Sequence, residues 1–143
     1  HQVTEGFVDG GDVLRIERTL YVGLSTRTDT AGIASLKAIC RGIGFEVVKA
    51  DLRDCLHLKT GATLAGPGAA GTPMLLYSPG SVDPAQFAGV EPLAVDQAQP
   101  NAANCLRGGG KLKYGPREPQ ACKLDLFKSC NDPAIPAQVM LLI

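Results

Sequence analysis

The chain has 143 residues, of which 45% are apolar and 20% charged, an ordinary composition for one soluble globular domain. Lys plus Arg and Asp plus Glu each number 14, so the chain has no net charge and no basic run that would bind nucleic acid. No stretch approaches the roughly eighteen apolar residues of a membrane helix, and no secretory signal is visible, so we expect a cytoplasmic protein without a membrane partner.

The first third of the chain predicts two short strands, a helix and a third strand, over residues 12–16, 19–23, 29–44 and 45–50. Glu17 and Arg18 separate the first two apolar runs, which indicates a tight hairpin. Apolar residues at helical spacing define the helix, with Thr28 or Asp29 placed to cap its start and a glycine placed to end it.

The same order of elements then recurs at a period of about 45 residues, which indicates a repeated supersecondary unit. We predict a strand, a turn, a strand, a helical turn and a strand over residues 55–66, 66–71, 72–78, 83–89 and 90–96. A third round begins within residues 101–115, and residues 116–143 show no regular pattern. Strands alternating with helices favour an α/β fold, here one domain over residues 1–143 with an irregular tail.

Four polar residues are the candidates for chemistry. Asp9 and Asp12 enclose two glycines, which permit a sharp turn at the start of a strand. Arg27 precedes the helix, and its planar guanidinium suits a carboxylate. On a strand over residues 55–66, His57 shares a polar face with Cys55 and Lys59. A solvated turn, a surface arginine and a structural histidine are the alternative interpretations of these positions.

Together these residues form a partial set for acting on a guanidinium compound. Carboxylates hold the cation, an arginine holds an α-carboxylate, and a histidine carries protons near neutral pH. A cysteine thiolate is the nucleophile that is easiest to activate at that pH. Five cysteines without a CxxC pair, and a single further histidine, His1, predict no disulfide framework, no metal site and no cofactor.

Three segments, VDGGDVLRIERTLYVGLSTRTDTAGI, CLHLKTG and PNAANCLR, resemble dimethylarginine dimethylaminohydrolase, a guanidine-modifying family of the pentein superfamily. The resemblance covers about residues 6 to 107 in order and spacing. It implies a partial pentein α/β propeller of about two and a half ββαβ units, corresponding to the C-terminal half of the family. The implied partner is a small guanidino substrate, methylarginine or arginine, and no metal is needed.

The resemblance also implies roles for individual residues. Asp9 resembles the acid that contacts the substrate guanidinium and the catalytic histidine, and His57 resembles that histidine. Arg27 resembles the arginine that holds the substrate carboxylate, and Asp12 is a further substrate-binding candidate. The family's nucleophilic cysteine aligns with Gln138, which cannot attack the substrate. Cys130, eight residues earlier, is the nearest thiol that could replace it.

Two classes of function therefore remain open at this stage. The first is hydrolysis of methylated arginine to citrulline and an amine by a Cys-His mechanism, either retained or lost in this chain. Within the enzyme class, an arginine deiminase or an amidinotransferase is a further option that would differ only in its guanidino substrate. The second is a non-catalytic pentein-like module that self-associates or binds a partner, because a partial propeller leaves open strand edges and exposed apolar surface. Such edges predict a homo-oligomer. Alkylation of a cysteine near His57 and the oligomeric state discriminate between the two functions.

Overall fold

The computed structural model describes residues 3–68, 70–108 and 111–114. Its first repeat contains two strands, a helix and a strand: β1 (Val13–Ile16), β2 (Thr19–Leu24), α1 (Thr30–Gly42) and β3 (Glu46–Asp51). β2 lies in the middle of the sheet, antiparallel to β1 and parallel to β3. The α1 helix is the crossover that the parallel β2–β3 pair requires.

The second repeat has the same topology in a shorter form. It contains β4 (Ala62–Pro67), β5 (Pro73–Tyr77), a 3-10 turn (Pro84–Gln86) and β6 (Glu91–Ala94). β5 is again central, antiparallel to β4 and parallel to β6. A third repeat begins with the antiparallel pair β7 (Cys105–Gly108) and β8 (Lys111–Tyr114). The predicted ββαβ repetition is therefore confirmed.

A short helical turn precedes the first strand of each repeat, and we call these three segments the entry turns. They are Gly10–Asp12, Leu58–Gly61 and Pro100–Ala103. The second entry turn contacts both the first and the third. Successive repeats therefore meet through their entry turns, which brings residues distant in sequence to one place.

Local sequence explains where the elements of the first repeat begin and end. Asp29 caps α1, as predicted, because its carboxylate accepts a hydrogen bond of 2.7 Å from the backbone N–H of Gly32. After α1, Gly44 has a φ of +75°, a backbone conformation that glycine adopts at little cost. Glu17 also has a positive φ, 51°, within the predicted hairpin between β1 and β2.

Buried apolar side chains hold the repeats together. One cluster joins the two sheets and includes Leu14, Tyr21, Leu58, Leu75 and Phe87. The Tyr21 and Phe87 rings pack at an interplanar angle of 52° with centroids 4.9 Å apart, and the Tyr21 hydroxyl accepts a hydrogen bond from the N–H of Ala88. A second cluster lies beneath α1, and a third lies between the second and third repeats. The first cluster therefore fixes how the first two repeats pack.

The prediction of a continuous strand over residues 55–66 is wrong. Residues 58–61 form the second entry turn instead, and the strand starts at Ala62. The Thr60 hydroxyl donates to the carbonyl of His57 over 2.6 Å, which closes the turn. Leu56 and Leu58 would share one face of a strand, yet Leu58 is fully buried while Leu56 is 55% exposed. His57 therefore lies at the start of a turn, not on the face of a sheet.

No helix in the ranges that the structure describes is long and apolar enough to cross a membrane. The irregular tail predicted at residues 116–143 lies outside the described residues.

Candidate active site

Asp9 stands at the start of the first entry turn. Its Oδ1 accepts a 2.7 Å hydrogen bond from the N–H of Gly11, so that the carboxylate caps the turn. Its own backbone N–H donates to the hydroxyl of Thr28 over 2.9 Å. These two bonds fix the Asp9 side chain at the mouth of the site while leaving about a third of it exposed to solvent.

His57 caps the second entry turn, and its imidazole lies against the first. A Cβ atom added at Gly11 would be 2.8 Å from the Cδ2 atom of the ring, so only glycine leaves room for it there. The His57 side chain is 15% exposed, and its Nε2 lies 3.5 Å from Oδ1 of Asp9. Nε2 is buried and makes no hydrogen bond to the described part of the protein. A buried nitrogen without a hydrogen bond is uncommon in folded proteins, which marks Nε2 as a candidate functional atom.

Arg27 extends from the loop between β2 and α1 on the other side of Asp9. Its guanidinium lies 3.9 Å from Oδ2 of Asp9, and its side chain is 57% exposed. The backbone N–H of Arg27 donates to the hydroxyl of Ser25 over 3.0 Å. The loop is therefore ordered while the guanidinium itself stays accessible. The structure thus brings Asp9, Arg27 and His57 together, as the sequence predicted.

Several groups lower the pKa of the Asp9 carboxyl below its usual value. The hydrogen bond from Gly11 is the largest cause, and the charges of His57 and Arg27 act in the same direction. Partial burial opposes them, with a smaller effect than the hydrogen bond. Asp9 is therefore ionised at neutral pH, and a carboxylate in this position attracts a cationic group such as a guanidinium.

Asp12 is placed differently from the other candidates. It is fully buried, and both of its oxygens accept hydrogen bonds from the protein. Oδ2 accepts from the hydroxyls of Ser25 and Thr28 over 2.6 and 2.7 Å, and Oδ1 accepts from the N–H of Leu58 over 3.0 Å. These bonds are all to the protein itself, and the substrate contact expected for Asp12 stays a prediction.

The two candidate nucleophile positions, Cys130 and Gln138, lie outside the described residues. Among the described cysteines, Cys55 precedes His57 by two residues. Burial raises the pKa of the Cys55 thiol, although hydrogen bonds with Thr60 and Ser81 partly offset this effect. Burial likewise raises the pKa of Cys40. Both thiols are therefore poorly ionised at neutral pH, which makes them weak nucleophiles.

Sequence reasoning missed the hydroxyl residues that hold the site. Ser25, Thr28 and Thr60 each bond to a segment that carries a candidate residue. The available signal was the spacing of hydroxyl residues around Arg27 in STRTD, because such residues favour local bonds to backbone groups. Within the described ranges, no cluster of three or more His, Cys, Asp or Glu side chains could hold a metal ion.

The chain is similar in sequence to part of a known enzyme. No protein-family model matches the chain. A dimethylarginine dimethylaminohydrolase of Streptomyces coelicolor is 32% identical over 119 residues, which cover 83% of this chain and 43% of that protein. The chain therefore spans less than half the length of this curated relative.

Solved structures match at the level of the fold. A dimethylarginine dimethylaminohydrolase from Pseudomonas aeruginosa, crystallised as a mutant with citrulline, gives a TM-score of 0.63 at 24% identity. The match covers 76% of this chain and 41% of that one. An amidinotransferase of the saxitoxin pathway of Microseira wollei gives 0.59 at 20% identity, over 72% of this chain and 34% of that one. These matches confirm the expected partial α/β propeller.

Proposed function

Because the chain is a dimethylarginine dimethylaminohydrolase-like protein of the pentein superfamily, we propose that it hydrolyses methylated arginine to citrulline and an amine. The observation that carries the proposal is the position of the Asp9 carboxylate between two groups. Its oxygens lie 3.5 Å from the imidazole of His57 and 3.9 Å from the guanidinium of Arg27. One carboxylate thus faces both a proton carrier and an anion-binding group.

In this proposal the guanidinium group of the substrate binds at Asp9, and the α-carboxylate of the substrate binds at Arg27. Asp9 is suited to the first role because its lowered pKa keeps it ionised. Arg27 is suited to the second because its guanidinium is more than half exposed and offers a planar fork to a carboxylate. An amino acid with a cationic side chain is therefore the substrate class that the charges of the site fit.

The chemical step uses a thiolate and the imidazole of His57. The thiolate attacks the guanidinium carbon, and the bond from that carbon to the methylated nitrogen breaks. The leaving amine takes a proton from the imidazolium. Neutral His57 then removes a proton from water, whose oxygen attacks the same carbon and expels the thiolate. Citrulline forms when the remaining proton of the added hydroxyl passes to the departed amine. The two protons that the imidazole carries pass through Nε2, which makes no hydrogen bond within the described residues and lies 3.5 Å from Oδ1 of Asp9.

The nucleophile in this scheme is Cys130, since Gln138 stands at the family position. Cys40 and Cys55 are less suitable, because burial raises the pKa of both thiols. This assignment requires that the Cys130 thiolate reaches the guanidinium carbon of a substrate bound beside the contacting pair of Asp9 and His57.

A substrate panel tests the proposal. Citrulline is measured after incubation with asymmetric dimethylarginine, monomethylarginine and arginine, using the protein and its His57→Gln variant. We expect citrulline from a methylated substrate and at least about a hundredfold less from the variant, in line with the loss of a general acid and base. Equal release by the two proteins would contradict the role of His57.

A non-catalytic module that self-associates is the second candidate function. Phe7, Leu24 and Leu56, which precede site residues by two, three and one positions, are 54%, 37% and 55% exposed. Exposed apolar side chains near a candidate site favour contact with another surface. Light scattering over a range of protein concentrations tests the homo-oligomer that the sequence predicts. A stable dimer without turnover would favour this candidate over the enzyme.

A further inference from the structure

The buried carboxylate of Asp12 links the three segments that carry Asp9, Arg27 and His57. We propose that Asp12 is a positioning residue, which sets the geometry of the site through the backbone without touching the substrate. This inference rests on the proposed function for its kinetic consequences, while its structural basis is the set of hydrogen bonds described above.

One oxygen of Asp12 accepts a hydrogen bond from the segment that carries His57. Oδ1 accepts the N–H of Leu58 over 3.0 Å, and this N–H belongs to the peptide group that directly follows His57. Leu58 is itself fully buried, so its N–H would have no water to bond if the carboxylate were removed. The bond therefore fixes the direction in which the His57 backbone enters the second entry turn.

The other oxygen controls the segments that carry Arg27 and Asp9. Oδ2 accepts from the hydroxyls of Ser25 and Thr28, and each hydroxyl oxygen then accepts a backbone N–H. The Ser25 hydroxyl accepts from Arg27 over 3.0 Å, and that of Thr28 accepts from Asp9 over 2.9 Å. Because both hydroxyl groups donate to the carboxylate, the lone pairs of the hydroxyl oxygens face the two backbone N–H donors.

The fold itself does not require a carboxylate at this place. Asp12 directly precedes β1, and the residue that directly precedes β4 in the second repeat is Gly61. A repeat of the same topology therefore forms with no side chain there. Burying a carboxylate is unfavourable unless hydrogen bonds replace its hydration, and three donors replace it here. In the first repeat, the Asp12 carboxylate therefore lies where the segments of the candidate site meet.

Substitutions at Asp12 and Thr28, with a control at Val47, separate positioning from general stability. Asp12→Asn keeps the shape but offers one acceptor oxygen in place of two, so Leu58 and the hydroxyls cannot all be satisfied. Thr28→Val removes one hydroxyl at nearly constant volume, and Thr28→Ser restores it. Val47→Ala serves as the stability control, because Val47 is buried beneath α1 in a separate cluster.

Hydrogen exchange of single amides, followed by NMR, provides a readout that does not depend on activity. In Asp12→Asn we expect the Leu58 amide to exchange at least about tenfold faster, since a buried bond to a charged acceptor is weakened. In Thr28→Val the Asp9 amide should exchange faster by a similar factor, and Thr28→Ser should restore the original rate. The NMR chemical shifts of the His57 imidazole should change in Asp12→Asn and remain unchanged in Val47→Ala.

Kinetics provide the second readout in a protein that releases citrulline. We expect kcat to fall at least about tenfold in Asp12→Asn, because the reacting groups are misplaced. Wild-type exchange at Leu58 in Asp12→Asn would overturn the proposal, and so would an equal acceleration in Val47→Ala. If Asp12→Asn does not fold, Thr28→Val and Thr28→Ser provide the test instead. An exchange rate of the Asp9 amide that is unchanged in both variants then overturns the proposal. Absence of citrulline from the unmodified protein contradicts the proposed function, while the exchange measurement still tests Asp12.

Discussion

Asp9 and His57 occupy equivalent places in successive repeats, and their side chains meet with Oδ1 and Nε2 3.5 Å apart. Each residue caps the entry turn that leads into the first strand of its repeat. The two turns contact each other, so the repetition itself brings an acid and a base together from positions 48 residues apart in the chain. The candidate site is thus a consequence of how two ββαβ units pack.

Gly11 should be essential for the position of His57. In Gly11→Ala the added methyl group would lie 2.8 Å from the imidazole Cδ2, so the ring must move. A displacement of about 1 Å can reduce turnover by roughly a hundredfold. We therefore expect displaced His57 ring signals in NMR spectra and a loss of citrulline release of that order.

Gly80→Ala is the matched control for this substitution. A Cβ at Gly80 would meet nothing within 4 Å, so the change should leave both the ring signals and turnover unaffected. Unchanged His57 signals in Gly11→Ala would show that the ring does not rest against the first entry turn.

The lowered pKa of Asp9 predicts a dependence of stability on pH. Its value in the folded protein lies below the ordinary 3.8, so the ionised form contributes stability above that pH. This contribution is lost as the pH falls through the folded value. The difference in melting temperature between the protein and Asp9→Asn should therefore be constant at neutral pH and disappear in acid below about pH 3.8.

Asp96→Asn provides a control with the same local geometry. Asp96 accepts a hydrogen bond from Ala98 two residues ahead, as Asp9 does from Gly11, but no ion pair to Asp96 occurs in the described part of the chain. If the melting-temperature difference caused by Asp9→Asn varies with pH in the same way as that caused by Asp96→Asn, His57 and Arg27 do not stabilise the ionised Asp9 carboxylate.

Arg27 should govern substrate affinity more than stability. Its guanidinium is 57% exposed, and exposed ion pairs contribute about 0–1 kcal/mol, so Arg27→Ala should leave the melting temperature nearly unchanged. Loss of a charge-assisted hydrogen bond to a ligand carboxylate should raise KM, or the Kd for citrulline measured by calorimetry, about tenfold or more.

Arg27→Lys keeps the charge but loses the planar fork, and we expect an intermediate affinity. Arg41→Ala, at an exposed position in the last turn of α1, is the control for loss of one positive charge. Equal affinities for citrulline in Arg27→Ala and Arg41→Ala would exclude Arg27 from carboxylate binding.

Burial should protect the thiols of Cys40 and Cys55 from alkylation. Because burial raises the pKa of both thiols, only a small fraction is ionised at neutral pH. Peptide mapping after brief treatment with iodoacetamide at pH 7 should therefore find Cys130 modified before either of them. Modification of Cys55 first, with parallel loss of turnover, would identify Cys55 as the reactive thiol instead.

The sequence was sufficient to predict the repeated unit, because hydrophobic periodicity and the Asp29 cap are local signals. It also predicted that Asp9, Arg27 and His57 belong together, through their resemblance to a known family. It did not predict the second entry turn, since Leu56 and Leu58 alternate with polar residues as they would on a strand. The turn begins at Leu58, whose N–H donates to Asp12 46 residues away, a contact that no local sequence pattern reveals.

The structural place of Asp12 was unpredictable for the same reason. In sequence, Asp9 and Asp12 are two similar acids on either side of two glycines. Only the packing of the repeats distinguishes them, because it leaves Asp9 partly exposed beside His57 and encloses Asp12 among three donors. Burial and hydrogen-bond partners, which tertiary contacts determine, separate the acid that faces the site from the one that supports it.

The most direct test of the central claim is citrulline release from asymmetric dimethylarginine before and after treatment of the protein with iodoacetamide. We predict release before treatment and its abolition afterwards, with bound citrulline slowing the inactivation because it covers the reactive thiol. No citrulline from the untreated protein, or release that survives complete alkylation, would contradict the claim that Asp9, Arg27 and His57 form a working thiol-dependent site in this chain.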